Sequence, residues 1–220
     1  MFLIGTSLFI FFAANLLNNS PLIQTDTRLA GEAHQFALHS SPVLRTVAIS
    51  GFYLGEHVIF AIGAGLILYF LAKRFWPELC MVVIAWPGEL VLLFLLSPYF
   101  HRARPLYDVS VWRNMPSPGF PSGHSISVIM CYGLLAYLLV PKIQSHRGKA
   151  AVIVAAIVIS IFVGISRIYV GDHYPVDVLA GYSLGIAWSG LVYTSVELIA
   201  RRKREGEQVV RSYSGQPGAT

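Results

Sequence analysis

The chain has 220 residues, of which 55% are apolar and only 12% charged, with a formal net charge of +5. That charged share is about half of the ~25% usual in soluble proteins, and the mean hydropathy is +0.61. This balance excludes a disordered chain, a basic nucleic-acid-binding domain and a disulfide-stapled secreted module, and it leaves an integral membrane protein.

Apolar runs cover residues 2–17, 52–72, 77–96, 122–140, 150–165 and 178–200. Each is about 16 to 23 residues long, near the ~20 that cross a ~30 Å hydrocarbon core at 1.5 Å rise per residue. They predict an all-α, polytopic bundle of six transmembrane helices. Nothing basic precedes the first run except the amino terminus, so it reads as a retained helix and not as a signal peptide. After it, residues 25–41 place Leu29, Ala33, Phe36, Ala37 and Leu38 among polar residues at helical spacing. That pattern predicts an amphipathic helix lying in the interface. Cys80 and Cys131 fall inside apolar runs with no metal-ligand spacing and read as packing residues. Residues 1–200 form the membrane domain. The polar residues 201–220 read as a basic, disordered cytoplasmic tail.

Basic residues orient the bundle. With a cytoplasmic amino terminus and six spans, ten Lys and Arg fall inside, including Arg201-Arg202-Lys203-Arg204 directly after the last run. Six fall outside: Arg28, Arg45, Arg102, Arg104, Arg113 and Arg167. Several of these outer residues crowd the ends of three runs. His101-Arg102-Ala103-Arg104-Pro105 follows the third, Pro121-Ser122-Gly123-His124 opens the fourth, and Ser166-Arg167-x5-His173-x3-Asp177 joins the fifth to the sixth. Arginine is costly near lipid, so such clustering marks a pocket.

These residue types suit a phosphate. Guanidinium groups fork onto phosphate oxygens, and Ser122-Gly123 opens a helix whose free N–H groups attract an anion. His173 and Asp177 lie four apart, so the carboxylate can accept a hydrogen bond from Nδ1–H and leave Nε2 to attack phosphorus. His124, on another helix, can protonate the leaving oxygen. No metal-ligand set is visible, and the arginines supply the positive charge. Glu89, within the third run beside Pro87-Gly88, reads as a carboxyl bonded to a neighbouring helix in a kinked segment. Tyr107 and Trp112 read equally as interfacial anchors or substrate contacts.

The second and third motifs resemble in full the signature of the phosphatidic-acid-phosphatase type 2 superfamily, related to bacterial acid phosphatases and vanadium haloperoxidases. The first family motif, Lys-x6-Arg-Pro, here reads Ser97-x6-Arg104-Pro105, without the lysine. The resemblance implies that His173 forms a phosphohistidine, that Asp177 orients it and that His124 is the general acid. It implies that Arg104, Arg167, Ser122 and the Gly123 amide bind phosphate. Ser97 itself, Arg113 or Arg102 stands to replace the lost lysine contact, with Arg113 preferred.

The expected protein is thus a metal-independent, cofactor-free lipid phosphatase or diphosphatase of the inner membrane. Its active site faces the extracytoplasmic side, and it has no nucleic-acid partner. The lipids implied by the resemblance are undecaprenyl diphosphate, phosphatidylglycerol phosphate and phosphatidate. The alternative is a non-hydrolytic lipid-phosphate binder or transporter on the same fold, favoured only by the missing lysine.

Overall fold

The computed structural model describes residues 1–105 and 119–214. Its described residues form helices in the order α1 (Phe2–Leu17), α2 (Pro21–Leu38), α3 (Pro42–Tyr53), α4 (Ile59–Lys73), α5 (Trp76–Phe100), α6 (Gly123–Leu139), α7 (His146–Tyr169) and α8 (Pro175–Ser214). A π-helical turn, Leu54–Val58, joins α3 to α4 without a break. Helix starts follow local chemistry. Ser41, Ser122 and Ser145 cap α3, α6 and α7 through their hydroxyls, and Pro21, Pro42 and Pro175 occupy first-turn positions that need no N–H.

Among the described residues, five helical stretches are long and apolar enough to cross a membrane: Pro42–Lys73, Trp76–Phe100, Gly123–Lys142, His146–Tyr169 and Pro175–Gly206. A sixth span arises only if α1 and α2, bent by 88° at their junction, are counted as one. Alone, the 16 residues of α1 reach about 24 Å, short of the hydrocarbon thickness. The outer surface is apolar, with Leu3, Val43, Phe94 and Ile199 all widely exposed. Lipid is the solvent that makes such a surface stable.

The core lies between α5, α6 and α8, where Val82, Ile126, Met130, Leu134, Leu184 and Val192 pack together. Helix α8 approaches α6 closely because residue 181 is glycine: a Cβ there would lie 2.5 Å from the Ser122 carbonyl oxygen. That approach sets the start of α6 beside the start of α8.

Helix α2 is amphipathic as expected: Ile23, Asp26, Ala30 and Ala37 are buried, while Leu29, Phe36 and Leu38 of the anticipated apolar stripe are largely exposed, the side that an interfacial helix turns to lipid. The face turned to the bundle carries Asp26 because that carboxylate finds donors there. One element differs from the sequence reading: helix α8 continues through Ser214, past Arg201, where a disordered tail is expected. Glu197 and Arg201 pair one turn apart at 2.5 Å, and strong helix formers follow.

Candidate active site

The three motifs converge where α5 ends and α6 and α8 begin. A cavity of about 440 Å³ opens there, and its lining includes Ser97, Arg104, Gly123, His124 and His173. Its remaining wall is mostly apolar, including Ile59, Phe60, Trp86, Leu90, Leu93 and Phe94. One end is therefore cationic and the other suits hydrocarbon.

His173 is 1% exposed. Its Nδ1 lies 2.8 Å from the Gly119 carbonyl oxygen. A carbonyl only accepts, so Nδ1 carries the proton and Nε2 is left with its lone pair. Nε2 is buried without a hydrogen-bond partner. This free nitrogen on a cavity-lining ring is the arrangement a nucleophile requires.

Asp177 stands one step further back than the sequence suggests. Its Oδ2 is 3.8 Å from His173 Nδ1, beyond hydrogen-bond distance. Both carboxylate oxygens are already engaged: Oδ1 accepts from Arg102 at 2.6 Å, and Oδ2 accepts from the Tyr174 N–H at 2.8 Å. The latter contact caps the first turn of α8. Gly119 provides the direct contact to the ring in place of Asp177. A Cβ at Gly119 would crowd the carbonyls of Arg102 and Ala103 at 3.2 and 3.3 Å, and the Gly119 N–H donates to the Arg102 carbonyl at 2.7 Å.

Arg102 does not line the cavity. Its guanidinium reaches Asp26 Oδ2 at 2.5 Å and Asp177 Oδ1 at 2.6 Å and lies over the Tyr174 ring. Its expected substitution for the missing lysine is thereby corrected, since two carboxylates hold it elsewhere. Arg113 lies outside the described residues. Ser97 does line the cavity, together with Arg104, whose Nε is buried and unpartnered.

Arg167 is fully buried. It donates to the Phe52 carbonyl at 3.2 Å, pairs with Asp172 at 3.4 Å and lies over the Phe52 ring. Ser122 is also fully buried; its hydroxyl caps α6, and its N–H donates to the Asp177 carbonyl at 3.0 Å. Neither residue is among those lining the cavity. Gly123 and His124 are, with His124 Nε2 3.9 Å from Glu56 Oε2.

Three contributors escape the sequence reading: Asp26, Gly119 and Glu56. Glu56 sits in the π-helical turn, a distortion often found at functional sites. Only the polar residue at a buried helical position of α2 could have pointed to Asp26.

Residues 79–201 match the family model described as the PAP2 superfamily. The chain belongs to that superfamily. Phosphatidylglycerophosphatase B of Bacillus subtilis is 33% identical over 209 residues, covering 90% of this chain and 98% of that protein. A lipid A 1-phosphatase of Rhizobium johnstonii is 36% identical over 46% of this chain and 41% of its own length. The crystal structure of a transmembrane PAP2-type phosphatidylglycerolphosphate phosphatase from Bacillus subtilis superposes with a TM-score of 0.71 at 32% identity, covering 89% of this chain and 97% of that one. These PAP2 relatives are lipid phosphatases, and hydrolysis is favoured over non-hydrolytic binding.

Proposed function

We propose that this PAP2 protein removes the terminal phosphate from a phospholipid at the extracytoplasmic face of the inner membrane, and that phosphatidylglycerol phosphate is its substrate. The single observation that carries the reading is His173, protonated at Nδ1 toward Gly119 with Nε2 free at the cavity. Nε2 attacks phosphorus and the bond to the lipid oxygen breaks. His124 gives that oxygen its proton, then takes one from the water that splits the phosphohistidine. Arg104 and the amide end of α6 at Gly123 stabilise the phosphoryl oxygens. Arg167 and Asp177 act by holding neighbouring groups in place.

The choice of lipid rests on the similarity to phosphatidylglycerophosphatase B over nearly the whole of both chains. The apolar cavity wall lets a lipid enter from the side with its tail in the bilayer. The test is phosphate release from phosphatidylglycerol phosphate, phosphatidate and undecaprenyl diphosphate in detergent, with acid-stable trapping excluded and alkali-stable ³²P-labelling of the protein measured. Label that persists in alkali and vanishes in His173→Ala is expected. Full labelling of His173→Ala would overturn the nucleophile.

A further inference from the structure

One buried carboxyl of the cavity is not used by this chemistry. Glu89, on α5, is 2% exposed and lines the cavity together with Ser127 of α6. The Ser127 hydroxyl bonds Glu89 Oε1, fulfilling the expected tie to a neighbouring helix, and also approaches the Gly123 carbonyl at 3.1 Å. A hydroxyl has one proton to give. Glu89 Oε2 is buried and has no hydrogen-bond partner. The tie between α5 and α6 is thus complete through Oε1, while Oε2 is an open acceptor.

Its depth matters. Ser127 follows His124 by three residues, about 4.5 Å along the helix. The pair therefore sits about one turn below the reacting phosphate, on the path a lipid takes from phosphate to tail. On its other side the same pair borders a void of only about 10 Å³, room for about one water. Glu89 and Ser127 form a polar floor in an otherwise apolar wall of Trp86, Leu90 and Leu93.

We infer that Glu89 and Ser127 form a headgroup subsite in which Glu89 Oε2 accepts a hydrogen bond from a free hydroxyl of the substrate, selecting lipids whose terminal phosphate is carried on a polyol. The inference rests on the proposed phosphatase function and names its specificity determinant. A glycerol-linked phosphate presents such a hydroxyl next to the reacting group. Below its diphosphate a prenyl chain has only hydrocarbon, and below its phosphate phosphatidate has only ester acceptors. Each would leave the buried oxygen facing no donor, and a site built to bond a hydroxyl rejects an analogue lacking it.

The test compares kcat/KM of the full-length protein for phosphatidylglycerol phosphate and for its analogue lacking the free glycerol hydroxyl, with p-nitrophenyl phosphate as a headgroup-free substrate. The wild type is expected to prefer the hydroxyl-bearing lipid by about tenfold or more, the scale of one well-made hydrogen bond. Glu89→Leu should bring the ratio near one, and Glu89→Gln, which keeps an acceptor oxygen, should retain most of the preference. Equal turnover of the two lipids by the wild type, or an undiminished ratio in Glu89→Leu, would overturn the subsite. Either result alongside normal wild-type hydrolysis of p-nitrophenyl phosphate leaves the phosphatase reading standing. Absence of phosphate release from both lipids and from p-nitrophenyl phosphate removes the phosphatase reading itself, and the subsite with it.

Discussion

Arg102 and Asp26 meet at 2.5 Å although 76 residues separate them in the chain, and both side chains are almost wholly shielded. Asp26 also accepts from the Val176 N–H at 2.8 Å, and the other arm of Arg102 holds Asp177. A helix at the edge of the bundle is thereby fastened to the turn that carries His173.

Removing Asp26 leaves Arg102 still paired with Asp177, but strands one guanidinium arm and the Val176 N–H without their acceptor. Asp26→Ala should therefore destabilise the protein by about 1–3 kcal/mol, read as a lowered Tm in detergent, and Asp26→Asn should cost less because it keeps an acceptor for Val176. An Asp26→Ala protein with unchanged Tm would mean that the network carries little energy.

His173→Ala should lose the phosphorylated intermediate altogether. His124→Ala should lower turnover of a lipid ester by about 10²–10⁴-fold, yet lower that of p-nitrophenyl phosphate far less, because nitrophenolate leaves without a proton. Equal losses on both substrates would remove His124 from the leaving-group step.

The pH–rate profile of the wild type should be bell-shaped, since one histidine must be neutral and the other protonated. The limb set by the proton donor should flatten with p-nitrophenyl phosphate, whose leaving group needs no proton, while the other stays. Kinetics across pH with the two substrates decide this.

Ser97→Lys should place a cation beside Arg104 in the cavity and lower KM for the lipid. A charged hydrogen bond is worth about 1.5–3 kcal/mol, so roughly tenfold is expected if the contact forms in the ground state. An unchanged KM would show that another cation of the chain already serves the phosphate.

Much of this site could be read from residue order. The spacing of Ser122-Gly123-His124 and of Arg167, His173 and Asp177 located the cavity end, because helix starts and i,i+4 pairs are local geometry. What could not be read is which oxygen takes the His173 proton. Asp177 has the right spacing, yet Arg102 and the Tyr174 N–H occupy it, and the Gly119 carbonyl comes from 54 residues away. Arg102 and Arg104 look alike in sequence, but only tertiary contacts reveal that one serves carboxylates and the other the cavity. The span count is blurred for another reason: hydropathy marks 2–17 as a run and is blind to its 88° junction with α2, where Asn19 takes a left-handed φ of 45° and Pro21 opens the next helix.

Cysteines introduced at Arg28, on α2, and Gln144, between α6 and α7, should test the orientation. An impermeant thiol reagent added outside the cell should label Arg28→Cys and spare Gln144→Cys. The reverse pattern would put the active site on the cytoplasmic side.

The bridge from Asp26 through Arg102 to Asp177 also bears on biogenesis. A ribosome delivers these residues to the membrane in that order, so the second helix waits with an unmatched carboxylate until the segment after α5 arrives. Even then Arg102 has one of its two anions, and Asp26 still lacks the amide of Val176. Only insertion of the last helix closes the circuit. A chain cut short before Pro175 would leave one arm of Arg102 and one oxygen of Asp26 without their partners, a mark by which membrane quality control can tell an unfinished copy from a finished one.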